Sequence, residues 1–300
     1  MTVLEKVGLM QKVKLKSPRF QVIILKTKPV KNSFDGKILG RTLCEWVIFA
    51  CNGQNVSVYD YDNKINPLEF VKDKINNDYE YTILLMSSTP LLEQRDISSI
   101  IEYSSIKKIN LCKLPTGYVF YNNYLASGNT QVDSIYSANI DNFYLVENKK
   151  QFNYALNILQ DRINSFHMEN GVEILKPSSV YIEPEVDIDG GVVIYPNNSL
   201  KGTTQISRDV ILKENNVIEN SKIGENSCVS SSVIEDSIIS SGVYISAFCE
   251  IKNSLIGKDT LIEKGVSISN YNIDVGSKIK ANTILGENNN DSSSGVGKSG

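Results

Sequence analysis

Between Val180 and Gly286 aliphatic side chains fall six residues apart, at Ile182, Ile188, Ile194, Leu200, Ile206, Leu212 and Ile218. An α-helix repeats about every 3.6 residues and a strand every two, so neither accounts for this spacing. A β-solenoid does. After Ile218 the spacing shortens once per coil, and the words IENSKIG, IEDSIIS, IKNSLIG and ISNYNID mark the breaks. Counted from Ile223 to Ile239, Ile256 and Ile273 they recur after 16, 17 and 17 residues, as three short faces per coil require. The position four after each aliphatic is mostly small, as at Val186, Thr204, Val210, Ser227, Val233, Val243, Thr260, Val266, Ser277 and Thr283. These side chains are expected to point into the taper of a three-sided coil, and stacked coils then share one core. An antiparallel β-sandwich would instead alternate with period two and turn every 8 to 12 residues or so. Asp189-Gly190 is the one hairpin signal of that kind in the region.

A chain of 300 residues has room for a second domain. Its net charge of −3 gives no reason to expect nucleic acid or an anionic membrane as a partner. The first 20 residues lack the apolar run of a signal peptide, and no stretch approaches the 18 or so apolar residues of a membrane span. Cys44, Cys51, Cys112, Cys228 and Cys249 contain no CxxC pair, so neither a disulfide framework nor a zinc site is indicated, and a cytoplasmic location is expected.

Upstream of the solenoid the pattern changes. Strands are expected at Gln21–Leu25, Asn55–Asp60 and Tyr81–Met86, and helices at 38–51, 68–75 and 97–105. Such alternation implies a parallel sheet covered on both faces, with ligands at the carboxyl ends of its strands, in the loops after Leu25 and Met86. Residues 108–142 are polar and short-patterned, with KLPTGY as the clearest turn. A helix over 148–169 buries Phe152, Ala155, Leu156, Leu159, Ile163 and Phe166 on one face. The expected domains are residues 1–147, an α/β domain; 148–170, a linking helix; 171–286, the solenoid; and 287–300, a tail too poor in apolar residues to fold.

With RINSFHMENGV, KPSSVYIEPEV, VIYPNNSLKG and the NSxIG words, the stretch from Asn148 to about Lys252 resembles the bifunctional UDP-N-acetylglucosamine pyrophosphorylase / glucosamine-1-phosphate N-acetyltransferase family, that is, a GlmU-like protein. Further upstream the resemblance rests on FDGKILGRTLCEWVIFAC, ILLMSSTPLL and LPTGY. It implies a shortened Rossmann-like nucleotidyltransferase domain before a left-handed parallel β-helix of hexapeptide repeats, a homotrimer, and a sugar nucleotide as ligand. The family's phosphate loop is LAAGxGTRM, whose glycines let backbone N–H groups close on a triphosphate. Here no glycine lies between Leu25 and Gly36, and Lys26, Lys28 and Lys31 remain as a basic cluster. The family's Mg²⁺-holding Asp in GDTPLL is Ser88 in this chain, and its Asn in GVNNR aligns with Glu147, the possible metal ligand. The sugar-contacting GYG survives as Gly117 and Tyr118, with Val119 expected to project toward the ligand.

In the acetyltransferase half, the resemblance places Lys252 where the family has an Arg for the phosphosugar, keeping charge but losing the bidentate fork. The family's Lys, His and Tyr positions carry Ser269, Ala281 and Ile284, and the family's later coils, with the acetyl-CoA site, are expected to have no counterpart among these 300 residues. The chain's one histidine, His167, falls on the linking helix, where a surface or packing role is expected. Three readings follow. The first is a catalytically impaired relative, a pseudoenzyme that binds a sugar nucleotide or regulates. The second is an active nucleotidyltransferase that makes UDP-N-acetylglucosamine from UTP and N-acetylglucosamine 1-phosphate, using Glu147, Asp60 or Asp62, and the lysines. The third is a trimeric scaffold for an intact paralogue.

Overall fold

A computed structural model describes residues 18–27 and 36–286. The chain forms two compact units, dividing within the long helix at Phe152/Asn153, and residues Lys37–Gly40 group with the second.

The first unit is a six-stranded sheet with helices on both faces. Its strands are β1 (Phe20–Thr27), β2 (Asn55–Tyr61), β3 (Tyr81–Met86), β4 (Leu111–Leu114), β5 (Gly117–Tyr121) and β6 (Ser134–Ile135), in the order β2-β1-β3-β5-β4-β6. Val22 and Ile24 face α1 (Leu43–Ala50) and α3 (Gln94–Lys107), while Ile23 and Leu25 face α2 (Pro67–Val71) and α4 (Asn122–Ala126). Burial on both sides is why QVIIL reads as an unbroken apolar run. The purely parallel sheet expected from the alternation is corrected in one place. β5 runs antiparallel to both β3 and β4, because Pro115 and Thr116 turn the chain straight back after β4. Sequence reading saw that turn but not the two short strands beside it.

Helix α1 also begins later than expected. Thr42 caps it, its Oγ accepting from the Glu45 N–H while the Thr42 N–H donates to the Glu45 carboxylate, a reciprocal capping box. The preceding Ile38 and Leu39 are fully buried in the second unit, and Leu39 has a φ of +48°. Apolar spacing alone does not separate such a buried turn from a first helical turn.

The second unit takes up α5 (Lys149–Glu169) from Asn153 onward; Ala155 and Leu159 are buried along the helix, and Ile163 packs against the solenoid core. The expected face is wrong at its far end, where Phe166 is 61% exposed and Asn164 and His167 are buried. A period of about 3.6 residues carries the contact stripe from Leu159 to Ile163, Asn164 and His167 and past Phe166. Asn164 donates to the carbonyls of Pro177 and Val180, and Gln160 donates to Val180 as well, so polar side chains dock the helix. Burial pushes the His167 pKa below its ordinary value, with Asp187 acting weakly the other way, and the buried Nδ1 has no partner. The unfolded state therefore binds the proton more tightly. Stability is expected to be full above about pH 6.5, the unfolded value, and to fall as the pH drops below it. Thermal midpoints at pH 7.5 and 5.5 check this, and His167→Gln is expected to flatten the difference.

The solenoid that follows is built of two- and three-residue strands, β7 (Glu173–Ile174) to β26 (Ile284–Leu285), stacked in three parallel sheets of seven, seven and six strands. This is the expected solenoid, consistent with a left-handed β-helix. The inward aliphatics share one continuous cluster in which Ile194, Leu212, Ile234 and Ile256 are fully buried. Val233 corrects the expectation for the small positions. It sits half-buried on the outer side, paired with Val217 and Glu250, and Ser232 points inward in its place. One residue fewer in that coil shifts the inward position by one.

The small positions also do more than fit a taper. Ser221 N–H donates to Thr204 Oγ, Ser237 N–H to Ser221 Oγ, and Ser254 N–H to Ser237 Oγ, so hydroxyls climb the stack and pair each buried corner amide. The turns take left-handed backbone conformations, supplied by Asn, Asp and Gly at most corners. At Gly202, with a φ of +58°, a Cβ would stand 2.1 Å from the side-chain oxygen of Asn220 in the next coil, so a side chain there would have to displace that asparagine.

Candidate functional site

In the first unit the carboxyl ends of β1, β2 and β3 lie along one edge of the sheet. Lys26 there is exposed and in register with Asp60 across β1 and β2. Since β5 runs the other way, its first residues, Gly117 and Tyr118, lie at that same edge, paired with Leu85 and Leu84. The Ser87 N–H donates to Leu25 O at 3.0 Å, and Thr89 Oγ donates to Met86 O at 2.8 Å, fixing the turn that carries Ser88. Val146 N–H donates to Ser88 O at 2.8 Å, which brings the neighbouring Glu147 to the edge. Glu147 is exposed, and its N–H donates to Gln151 in the first turn of α5. Lys26, Ser88, Gly117, Tyr118 and Glu147 thus gather by backbone register, as the rule for open α/β sheets requires. Lys28 and Lys31 lie outside the described residues.

Two of these positions carry a different physical meaning from the one expected. Gly117 has a φ of +125°, and a Cβ would stand 2.0 Å from Leu84 O. Strand pairing by itself demands glycine there. Val119, expected to project toward a ligand, is instead fully buried among Ile83, Cys112 and Leu114, because alternation along β5 turns it into the core. Tyr118 is half-buried, its hydroxyl 3.0 Å from Lys113 Nζ.

A residue that sequence reading missed organises the edge from behind. Asp96, at the third position of α3, is fully buried. Its carboxylate accepts from the Glu93 N–H at 2.9 Å and from the side-chain amides of Asn139 and Asn142, each at 2.8 Å. It thereby pins the segment that reaches Ser88 through Val146. The helix starts three residues before the expected 97–105, at Gln94, with Asp96 in its first turn, and the two asparagines that meet Asp96 lie 43 and 46 residues away.

Among the described residues no three His, Cys, Asp or Glu side chains converge to hold a metal ion. The edge offers Glu147 as a carboxylate beside the Ser88 loop. That donor set suits a Mg²⁺ carried in on a triphosphate, which needs one or two carboxylates, rather than a resident ion. The cysteines are free. Burial pushes their thiols up, to about 12 at Cys51, so none is set up as a nucleophile.

Lys252 lies on the solenoid, on β20 (Glu250–Lys252), in register with Glu235 and Ser269. Its Nζ is 2.7 Å from Glu250 and 3.4 Å from Glu235, and hydrogen bonding to Glu250 pushes its pKa up. Two carboxylates outweigh the one cation at the position where the family keeps a phosphate-binding charge. The Ala281 N–H donates to Glu263, leaving no imidazole in that region.

The chain folds as an open-sheet α/β unit joined to a hexapeptide β-solenoid. Its sequence is GlmU-like. A family model described as the GMPPB C-terminal domain matches residues 177–271. The bifunctional protein GlmU of Streptococcus agalactiae serotype V is 28% identical over 275 residues, covering 83% of this chain and 56% of that protein. GlmU of Clostridium beijerinckii is 36% identical over 143 residues, covering 47% of this chain and 31% of its own. A match over 83% of the chain extends well beyond the solenoid, so the likeness includes the α/β unit. The chain spans about half the length of the first of these relatives. The acetyltransferase domain of PglB from Neisseria gonorrhoeae FA1090 aligns over 87% of this chain and 92% of that domain at 10% identity, with a TM-score of 0.22, too low to bear on the fold. No helix among the described residues is long and apolar enough to cross a membrane.

Proposed function

We propose that this chain is a sugar-nucleotide-binding protein of GlmU-like metabolism whose α/β unit holds its ligand at the carboxyl edge and turns it over poorly, as a pseudoenzyme. The observation that carries the reading is the composition of that edge. Lys26 and Glu147 gather with the Ser88 loop and Tyr118, while the edge lacks the family's Asp at 88 and the sequence lacks its glycine-rich loop. Attraction for phosphate remains, but donors aimed at charge developing in the transition state are reduced. Losing one such donor costs about 10²- to 10³-fold in rate. Glu147 would hold a Mg²⁺ brought in on a triphosphate, Lys26 would neutralise phosphate charge, and Tyr118 would lie against the sugar. Free, unreactive thiols suit the cytoplasm.

The presence of Glu147 at the edge favours a second reading, an active nucleotidyltransferase. Phosphorus NMR of concentrated protein with UTP, Mg²⁺ and N-acetylglucosamine 1-phosphate separates the two. Broadened UTP lines without product over hours are expected. UDP-sugar and pyrophosphate forming at the rate of an intact GlmU would sink the first reading and make Glu147 the residue to mutate. The solenoid adds self-association, of which the homotrimer implied by the resemblance is one form.

A further inference from the structure

Near the carboxyl edge of the α/β sheet stands a second cation, which none of the family's motifs marks. Lys113 lies on β4, in register with Tyr118 on one side and with Ile135 of β6 on the other. Alternation along β4 sends Leu111 into the cluster of Leu84 and Phe120, and Cys112 into the cluster of Ile83 and Val119. Lys113 therefore shares the face of Leu111, on which Tyr118 also packs. Its Nζ is 3.0 Å from the Tyr118 hydroxyl oxygen and 4.4 Å from the centre of that ring. An ammonium that donates to a phenol oxygen and lies over the same ring is restricted in where it can sit. What it lacks is an acid. Neither cross-strand neighbour is charged, and among the described residues no carboxylate forms an ion pair with Lys113. Lys74 also lies over a ring, Phe70 at 4.1 Å, but has Asp73 at 3.9 Å. Lys252 has two carboxylates.

Strand order says what that charge can meet. The sheet runs β2-β1-β3-β5-β4-β6, so along the edge Lys26 on β1 comes first, then the Ser88 loop after β3, then Gly117 and Tyr118 on β5, then Lys113 on β4. At about 4.8 Å per strand, Lys26 and Tyr118 are two strands, or about 10 Å, apart in that direction, and Lys113 is one strand further. A ligand with its phosphate at Lys26 and its sugar against Tyr118 thus turns the far side of the sugar toward Lys113. A cation with no carboxylate of its own at that end matches an acid group on the sugar, which accepts a charge-assisted hydrogen bond from Nζ. A sugar without an acid gains nothing comparable, and the difference between the two is specificity. We infer that the edge selects a sugar nucleotide whose sugar carries a carboxylate, a hexuronate, and that Lys113 makes the choice.

The inference rests on the reading of the edge as a sugar-nucleotide site. Its test is titration calorimetry of the full chain with UDP-glucose and UDP-glucuronate, which differ only at C6 of the sugar, and with UDP. UDP-glucuronate is expected to bind about tenfold more tightly than UDP-glucose, the lower end of what a hydrogen bond to a charged group contributes. Lys113→Met keeps an unbranched stem against Tyr118 and removes the charge, so it is expected to bring the two affinities together. Lys113→Arg is expected to restore the preference. Equal binding of both sugar nucleotides to the natural chain, or a preference that survives in Lys113→Met, would overturn the inference and leave the edge as a sugar-nucleotide site. Failure of all three ligands to bind, UDP included, would overturn the reading of the edge and the inference with it.

Discussion

Gly117→Ala is expected to destabilise the α/β unit by at least about 3 kcal/mol, the sum of a left-handed backbone penalty and an overpacked contact. The added methyl would start 2.0 Å from Leu84 O at a φ of +125°. Both obstacles are backbone, so no side chain can swing aside. Relief requires β5 to part from β3, where Gly117 pairs with Leu85 at the end of the ladder. The chain's one tryptophan, Trp46, is buried on α1 in the same unit. Its fluorescence therefore reports this unit in urea, and at slopes of about 1–3 kcal/mol per molar the midpoint should drop by a molar or more. Undiminished stability with loss of nucleotide binding alone would show that the glycine is held for a ligand and not for the sheet.

The second large effect is expected at Asp96. Replacing it with alanine leaves the Glu93 N–H and the amides of Asn139 and Asn142 without their acceptor; of these, the Asn142 amide is the one fully enclosed, while Asn139 is exposed and can turn to water. Stranding the buried Asn142 amide and loosening the helix start at Glu93 are together expected to cost about 2–3 kcal/mol. The consequence for function is separate. With the 139–146 segment unpinned, the Val146–Ser88 hydrogen bond loses its support and Glu147 its place. Amide hydrogen exchange at Val146 should therefore accelerate more than exchange at Ile24, in the middle of the sheet. Equal acceleration at both would mean that Asp96 contributes to global stability only.

The solenoid was legible because its constraint is local and repeated. Each coil must place an aliphatic inward every six residues and a small or left-handed residue at each corner, so one sequence states the rule many times. Val233 escaped because the step from Val229 to Ile234 is five residues and not six, so the inward small position falls at Ser232 instead of at the fourth residue after Val229. Phe166 escaped because both helix faces hold apolar residues, and the solenoid selects the face with Asn164 and His167, whose polar atoms its first coil can meet or enclose. The α/β unit was legible in its central strands, whose apolar runs need both faces covered. Strands β4 and β5, four and five residues long, carry too little pattern to read.

The sequence by itself therefore determined the repeat, the presence of an α/β unit before it, the likeness to GlmU, and the chemistry absent from the family's motifs. Only the tertiary structure decided that Lys252 is held by two carboxylates, that Gly117 answers to a carbonyl on the neighbouring strand, and that Asp96 fastens the edge of the sheet. The physical reason is sequence separation. A period or a cap is written within a few neighbouring residues, whereas an ion pair across coils or a close approach between strands exists only once the chain has brought distant positions together.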